Sequence, residues 1–276
     1  MNFYPLCEYD LSTLFEKDPR PEHDPLFVWR QFMGLLSALR HVHCGHPNQF
    51  GYHFDIKCQN ILVRKGKWMI AGSEYSKSYA NGTSATRRKP GPEEFGGPEA
   101  TVTRKFDIWG IACVGCIVSA WLLGGAGGVA QFREDRKVEN PESDWPTSTL
   151  YNFFQRVGPD AVIHPAVEAL FSKANDPIST GVAAILKDML SIDVEMRPTA
   201  EEAEKRFGEV LSVEPLALQA PRGVGSVSTR QTLHLPRPPL TSREQRAKSS
   251  QLPVLVGEVS MCTDVKSDAK WACCIA

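Results

Sequence analysis

The chain has 276 residues, 42% hydrophobic and 23% charged, an ordinary globular composition with enough apolar mass for a sizeable core. A formal net charge of −1 excludes a protein whose whole surface tracks nucleic acid, because that work needs a strong positive excess. The eight cysteines (Cys7, Cys44, Cys58, Cys113, Cys116, Cys262, Cys273 and Cys274) are scattered, and Met1 to Asp10 shows neither a basic start nor a long apolar run. This pattern points away from a secreted disulfide framework and toward an intracellular protein of the cytoplasm or nucleus.

In chain order, Val28, Phe32, Leu35, Leu36, Leu39 and Val42 recur at three- and four-residue steps, which predicts an amphipathic helix from about Leu26 to His43. His41, His43, Cys44 and His46 follow. They read as a polar helix end with its loop in preference to a metal cluster, since no later pair has ligand spacing. Asn60–Val63 and Lys67–Ile70 flank Arg64-Lys65-Gly66 and predict two short strands around a turn.

Ile108 to Phe132 holds no charged residue over 25 positions, long enough to cross a bilayer, where about 20 apolar residues suffice. The run Gly124-Gly125-Ala126-Gly127-Gly128 would interrupt its last third, and a buried central helix is the preferred reading. Cys113 and Cys116, within it, read as buried helix residues and not as a redox or zinc pair. A helix from about Ser179 to Ser191 carries Val182, Ile185, Leu186, Met189 and Leu190 on one side. Another opens at Met196–Ala200, with Pro198 near its start and Glu201 and Glu202 in the first turn, where negative charge suits the helix dipole. From Glu214 onward prolines, serines and arginines break every periodicity. The expectation is a mainly α lobe with a small β-hairpin over residues 1–211, followed by a disordered tail over 212–276.

One loop carries chemistry. Tyr52-His53-Phe54-Asp55-Ile56-Lys57-Cys58-Gln59-Asn60-Ile61-Leu62-Val63 lies between the long helix and the hairpin. Phosphoryl transfer needs a carboxylate for the hydroxyl proton, a cation near the transferred phosphate and an oxygen ligand for magnesium, and Asp55, Lys57 and Asn60 are those residue types. The H-x-D-x-K-x-x-N-I-L-V string resembles the catalytic loop of eukaryotic protein kinases, with Lys57 typical of the serine/threonine branch. Other segments extend the resemblance. Phe3–Leu11 looks like the hinge and the helix after it, Gly97-Pro98-Glu99 resembles the A-P-E signature, and Asp107-Ile108-Trp109-Gly110 resembles the start of the family's central helix. Leu190–Asp193 with Arg197–Ala200 resembles its late helical motif.

The resemblance implies the C-terminal lobe of a protein kinase, with ATP and Mg2+ as cofactors and a protein as substrate or docking partner. It assigns Asp55 and Lys57 to catalysis and Asn60 to magnesium and nucleotide. It also implies a buried Glu99–Arg197 ion pair, and a hydrogen bond from Asp107 to the loop backbone near His53, both structural.

Three departures qualify this. Ile70-Ala71 is followed by Gly72-Ser73-Glu74 where the family has D-F-G, and no aspartate occurs between Asp55 and Asp107; Glu74 is the one nearby acid that could substitute. Met1 falls almost at the hinge, so the glycine-rich loop, the strand lysine and its glutamate partner are expected to be absent, with weak nucleotide binding as the consequence. Phe54 stands where many members carry an arginine that receives an activation-loop phosphate, although Ser73, Ser76, Ser78, Thr83, Ser84 and Thr86 lie near Arg87 and Arg88.

In the tail, six basic residues face one acid between Arg222 and Lys248. The terminal Cys273-Cys274-Ile275-Ala276 matches the C-a-a-X prenylation pattern, which would give a membrane-anchored fraction if Cys273 is modified. Two functions stay open: a serine/threonine-type kinase of impaired activity, and a non-catalytic, pseudokinase-like docking module, which the missing metal ligand and missing lobe favour.

Overall fold

The computed structural model describes residues 7–17, 24–44, 49–72, 77–80, 93–139 and 149–212. Residues 213–276 of the proposed tail, Glu74, residues 3–6, His46, Arg87 and Arg88 with Ser73, Ser76, Thr83, Ser84 and Thr86, and Cys273 lie outside these residues. The described part is mainly α with small antiparallel sheets.

Helix α1 (Leu11–Lys17) is short and buries Leu11, Leu14 and Phe15. The periodic segment after it forms helix α2 (Pro25–Cys44), which buries Val28, Trp29, Phe32, Leu35, Leu36, Ala38, Leu39 and His43 along one stripe. Its start is satisfied by the Asp24 carboxylate, which accepts from the Leu26 N–H (3.0 Å). The stripe packs on helix α6 (Ala200–Leu211), where Phe207 meets Phe32 (centroids 5.2 Å apart) and Trp29 (6.1 Å). Each such side chain taken out of water contributes about 1.5–3 kcal/mol.

Helix α6 opens with a capping box: Thr199 accepts from the Glu202 N–H, and Glu202 accepts from the Thr199 N–H. Pro198 therefore lies before the cap and not in the first turn. Helix α5 (Pro177–Met189) is capped by Asp176, which accepts from the Ile178 and Ser179 N–H groups, and buries Val182, Ile185, Leu186 and Met189.

The uncharged run is the interior of helix α3 (Arg104–Asp135), whose residues from Phe106 to Val118 are buried on every side. Of its most apolar 18-residue window, 83% is covered by the rest of the fold, so the helix owes its composition to packing on all faces. The glycine run does not end it. The chain kinks at Gly125 (φ 60°, ψ −151°), a conformation open to a residue without Cβ, and the helix resumes to Asp135. Cys113 and Cys116 are fully buried in this helix, and burial pushes both thiols above their ordinary range.

Strands β1 (Tyr9–Asp10), β3 (Ile61–Arg64) and β4 (Lys67–Ile70) form one antiparallel sheet in the order β1-β3-β4. The β3–β4 turn is Lys65-Gly66, both at positive φ (50° and 76°), the two-residue geometry that matches strand twist. The expectation of a single hairpin is incomplete. Strand β2 (Gln49–Tyr52) pairs with β5 (Lys77–Ala80), β6 (Val138–Glu139) with β7 (Thr149–Leu150), and β8 (Phe154–Val157) with β9 (Asp160–Ile163). The β8–β9 turn is Gly158-Pro159, with Gly158 at φ 61°. Helix α4 (Pro165–Phe171) follows, capped by His164, whose Nδ1 accepts from the Ala166 N–H (3.2 Å).

Candidate functional site

The loop from His53 to Lys57 leaves β2 and enters a 3-10 turn (Cys58–Asn60) that feeds β3. It hangs from α3 by one carboxylate. Asp107, in the first turn of α3, accepts from the Phe54 N–H at Oδ1 (2.8 Å) and from the His53 N–H at Oδ2 (2.8 Å). His43, at the end of α2, donates from Nε2 to the same Oδ2 (2.9 Å). Burial alone would raise the Asp107 carboxyl pKa. The His43 hydrogen bond, the nearby His43 and His53 rings and the His53 amide more than reverse this, and the pKa ends below the ordinary carboxylate range.

His53 closes the loop from the other side. Its Nε2 donates to the Ala71 carbonyl (3.0 Å), just past β4, and its Nδ1 accepts from the Asp55 N–H (3.3 Å). An accepting Nδ1 and a donating Nε2 define the neutral ring. Burial lowers the His53 pKa, outweighing the attraction of Asp107, the Ala71 carbonyl and Asp55.

Three of the candidate residues converge on one carboxylate. Asp55 is buried, and its Oδ2 receives Lys57 Nζ at 2.9 Å and Asn60 Nδ2 at 2.7 Å. Asn60 Nδ2 also donates to the Asp55 carbonyl (2.7 Å), which fixes the direction of its carboxamide. Asp55 Oδ1 has no hydrogen-bond partner among the described residues. A buried acceptor left open beside a cation suits a hydroxyl-bearing ligand whose O–H can donate to it.

Position 72 lies against this cluster. The Ala71 N–H donates to the Asn60 carbonyl (2.8 Å), and a Cβ on Gly72 would come within 2.7 Å of the Asn60 carboxamide carbon. Gly72 is at φ +86°, so the chain passes close to Asn60 and presents no side-chain oxygen there. Magnesium wants about six oxygens in near-octahedral geometry, ordinarily with one or two carboxylates beside phosphate and water. Asp55 Oδ2 is engaged by Lys57 and Asn60, and both oxygens of Asp107 are taken by the loop and His43. No group of three His, Cys, Asp or Glu able to hold a metal occurs among the described residues. Beside the open Asp55 Oδ1 the described residues place no second free carboxylate, so by themselves they do not make up a magnesium clamp.

Glu99 and Arg197 stand apart from the loop. Arg197 is fully buried, donates to both Glu99 oxygens (2.8 and 3.0 Å) and to the Ser191 carbonyl (2.7 Å), and lies 4.8 Å from the Trp109 ring centre. A second buried arginine was not anticipated. Arg136 donates to Glu94 (3.2 Å) and to the Tyr151 carbonyl, and its guanidinium lies 3.8 Å from the Phe153 ring centre. Arg133-Glu134-Asp135-Arg136-Lys137 is charged at every position, so nothing local distinguishes Arg136 as the buried one. His43, which in the sequence reads as part of a polar helix end, is buried and continues the apolar stripe four residues after Leu39.

No protein-family model matches the chain, and no curated protein matches it.

Proposed function

We propose that residues 1–211 are a protein-kinase-like C-terminal lobe of the serine/threonine type, strongly impaired in phosphoryl transfer, that serves as a non-catalytic docking module. The observation that carries this reading is the pairing of an intact loop with an incompatible neighbour. Asp55, Lys57 and Asn60 share one carboxylate on a loop fixed by Asp107, while Gly72 faces Asn60 without an oxygen to offer. If a metal clamp supplies about 4 kcal/mol to such a transition state, its loss slows transfer by roughly a thousandfold.

The open Asp55 Oδ1 supports the second reading, residual kinase activity on a protein hydroxyl. Thermal melting of the full chain with and without ATP and magnesium separates the two, because a ligand that binds only the folded state must raise its stability. The docking-module reading expects no magnesium-dependent rise and no ATP-dependent labelling of a generic protein substrate. A rise lost in Asn60→Ala, with labelling lost in Asp55→Ala, would establish the kinase instead.

A further inference from the structure

Phe54, next to Asp55, holds a backbone conformation that its side chain disfavours. It is at φ +65°, in the left-handed region that glycine and asparagine enter readily and a bulky aromatic residue rarely does. Such a residue stays there only when its surroundings over-determine it, and outliers of this kind gather at functional sites. Two sets of contacts surround it. On the backbone side its N–H is held by Asp107 Oδ1 (2.8 Å). On the side-chain side its ring stacks on Tyr52, centroids 4.8 Å apart and planes inclined by 19°. The two rings, with Val102 and Phe106, form an apolar cluster separate from the main core.

Val102 belongs to the segment after Glu99, and Phe106 to the first turn of α3 beside Asp107. The cluster thus joins the loop, the end of the preceding segment and the root of α3. The turn at Phe54 also decides where Asp55 goes. With residue 54 in the left-handed region, the amides of His53 and Phe54 both reach Asp107, and the next side chain meets Lys57 and Asn60. An ordinary φ at this position would turn one of these sets away.

We infer that Phe54 is a positioning residue for Asp55, and that the Tyr52–Phe54 stack, closed by Val102 and Phe106, is an apolar latch holding the loop in its left-handed turn. The inference rests on Asp55 being the centre of the site, but not on whether that site transfers phosphate.

Hydrogen exchange of individual amides in the full chain tests it without nucleotide or substrate. Phe54→Asn tolerates the left-handed turn but removes the ring. It is expected to speed exchange of the His53 and Phe54 amides by about tenfold or more, since an aromatic pair and its burial are lost from the local opening equilibrium. Amides in the middle of α2 should keep the parent's protection, and Phe54→Tyr should behave as the parent. Tyr52→Leu, which breaks the stack at a residue with no positive φ, should reproduce the same local loosening if Phe54→Asn does not fold. Parent-like protection of His53 and Phe54 in either folded variant would overturn the latch. Equal acceleration of the α2 amides would also overturn it, because the rings would then be ordinary core. A failure of ATP binding leaves this measurement untouched, so the two proposals fail separately.

Discussion

Arg197 grips Glu99 through two parallel hydrogen bonds of 2.8 and 3.0 Å, with both side chains nearly or fully out of water. The fork of the guanidinium matches the carboxylate, and the Ser191 and Lys105 carbonyls accept two of its other three protons. Removing Glu99 leaves a buried cation without its counter-charge, which typically costs about 3–5 kcal/mol. Glu99→Ala is therefore expected to unfold at a much lower denaturant concentration than the parent with an unchanged slope. Arg197→Lys should fall between, since an ammonium cannot reproduce the fork. Equal midpoints for parent and Glu99→Ala would refute this account of the pair.

Two buried histidines set the response to acid. Burial lowers the pKa of His53, and burial together with the charge of Arg136 lowers that of His164. Both rings accept an amide hydrogen bond at Nδ1, which a protonated ring cannot do. Each ring is thus easier to charge in the unfolded chain, where its pKa is near 6.5. Their contribution to stability is fully present above that value and is lost as pH falls below it. Melting temperature should decline between about pH 7 and pH 5. His164→Asn, which can cap α4 without titrating, should flatten part of that decline; a profile identical to the parent's would remove His164 from the explanation.

Gly72 is confined by its own backbone and by Asn60. At φ +86°, with the position of a Cβ only 2.7 Å from the Asn60 carboxamide carbon, even alanine adds strain and pushes on the side chain that orients Asp55. Gly72→Ala is expected to destabilise the fold by about 1–3 kcal/mol. It should also shift the Asn60 side-chain amide resonances. Gly34, where an added Cβ meets nothing within 4 Å, provides the control: Gly34→Ala, inside α2, should stabilise by up to about 1 kcal/mol. Similar melting of the two variants would contradict the close approach.

Helices α2, α5 and α6 and the first hairpin are legible because their signals are local. Periodicity marks α2 and α5, the acids Glu201 and Glu202 mark the first turn of α6, and Lys65-Gly66 marks the turn between β3 and β4, whereas the seven-residue α4 is too short to show a period. The β8–β9 hairpin is less legible although Gly158-Pro159 is a turn signal, because Phe154-Gln155-Arg156-Val157 alternates too weakly to announce a half-buried strand. For the site, the order of residues exposed Asp55, Lys57 and Asn60, which lie within six positions of one another. It exposed neither His43 nor the role of Phe54. His43 meets Asp107 across 64 positions of chain, and the turn at Phe54 follows from contacts with Val102 and Phe106 that no local pattern encodes.

The buried pair missed in the sequence makes an asymmetric prediction. Arg136 is only 1% exposed, whereas the Glu94 side chain is 25% exposed. Burial lowers the Arg136 pKa against the pull of Glu94, so the cation depends on its partner more than the partner depends on it. Glu94→Ala strands a charge between Phe132 and Phe153 and should cost about 3–5 kcal/mol. Arg136→Met keeps most of the apolar volume between those rings, and the released Glu94 can turn toward water, so the loss should be smaller. The double variant Glu94→Gln with Arg136→Met should recover much of what Glu94→Ala loses, because a well-packed apolar replacement of a buried pair is often close to neutral. Denaturant midpoints of the three variants decide the matter. If Arg136→Met is the most destabilising, the stacking of the guanidinium on Phe153 outweighs the electrostatics, and the pair holds the segment before Glu99 by packing and not by charge.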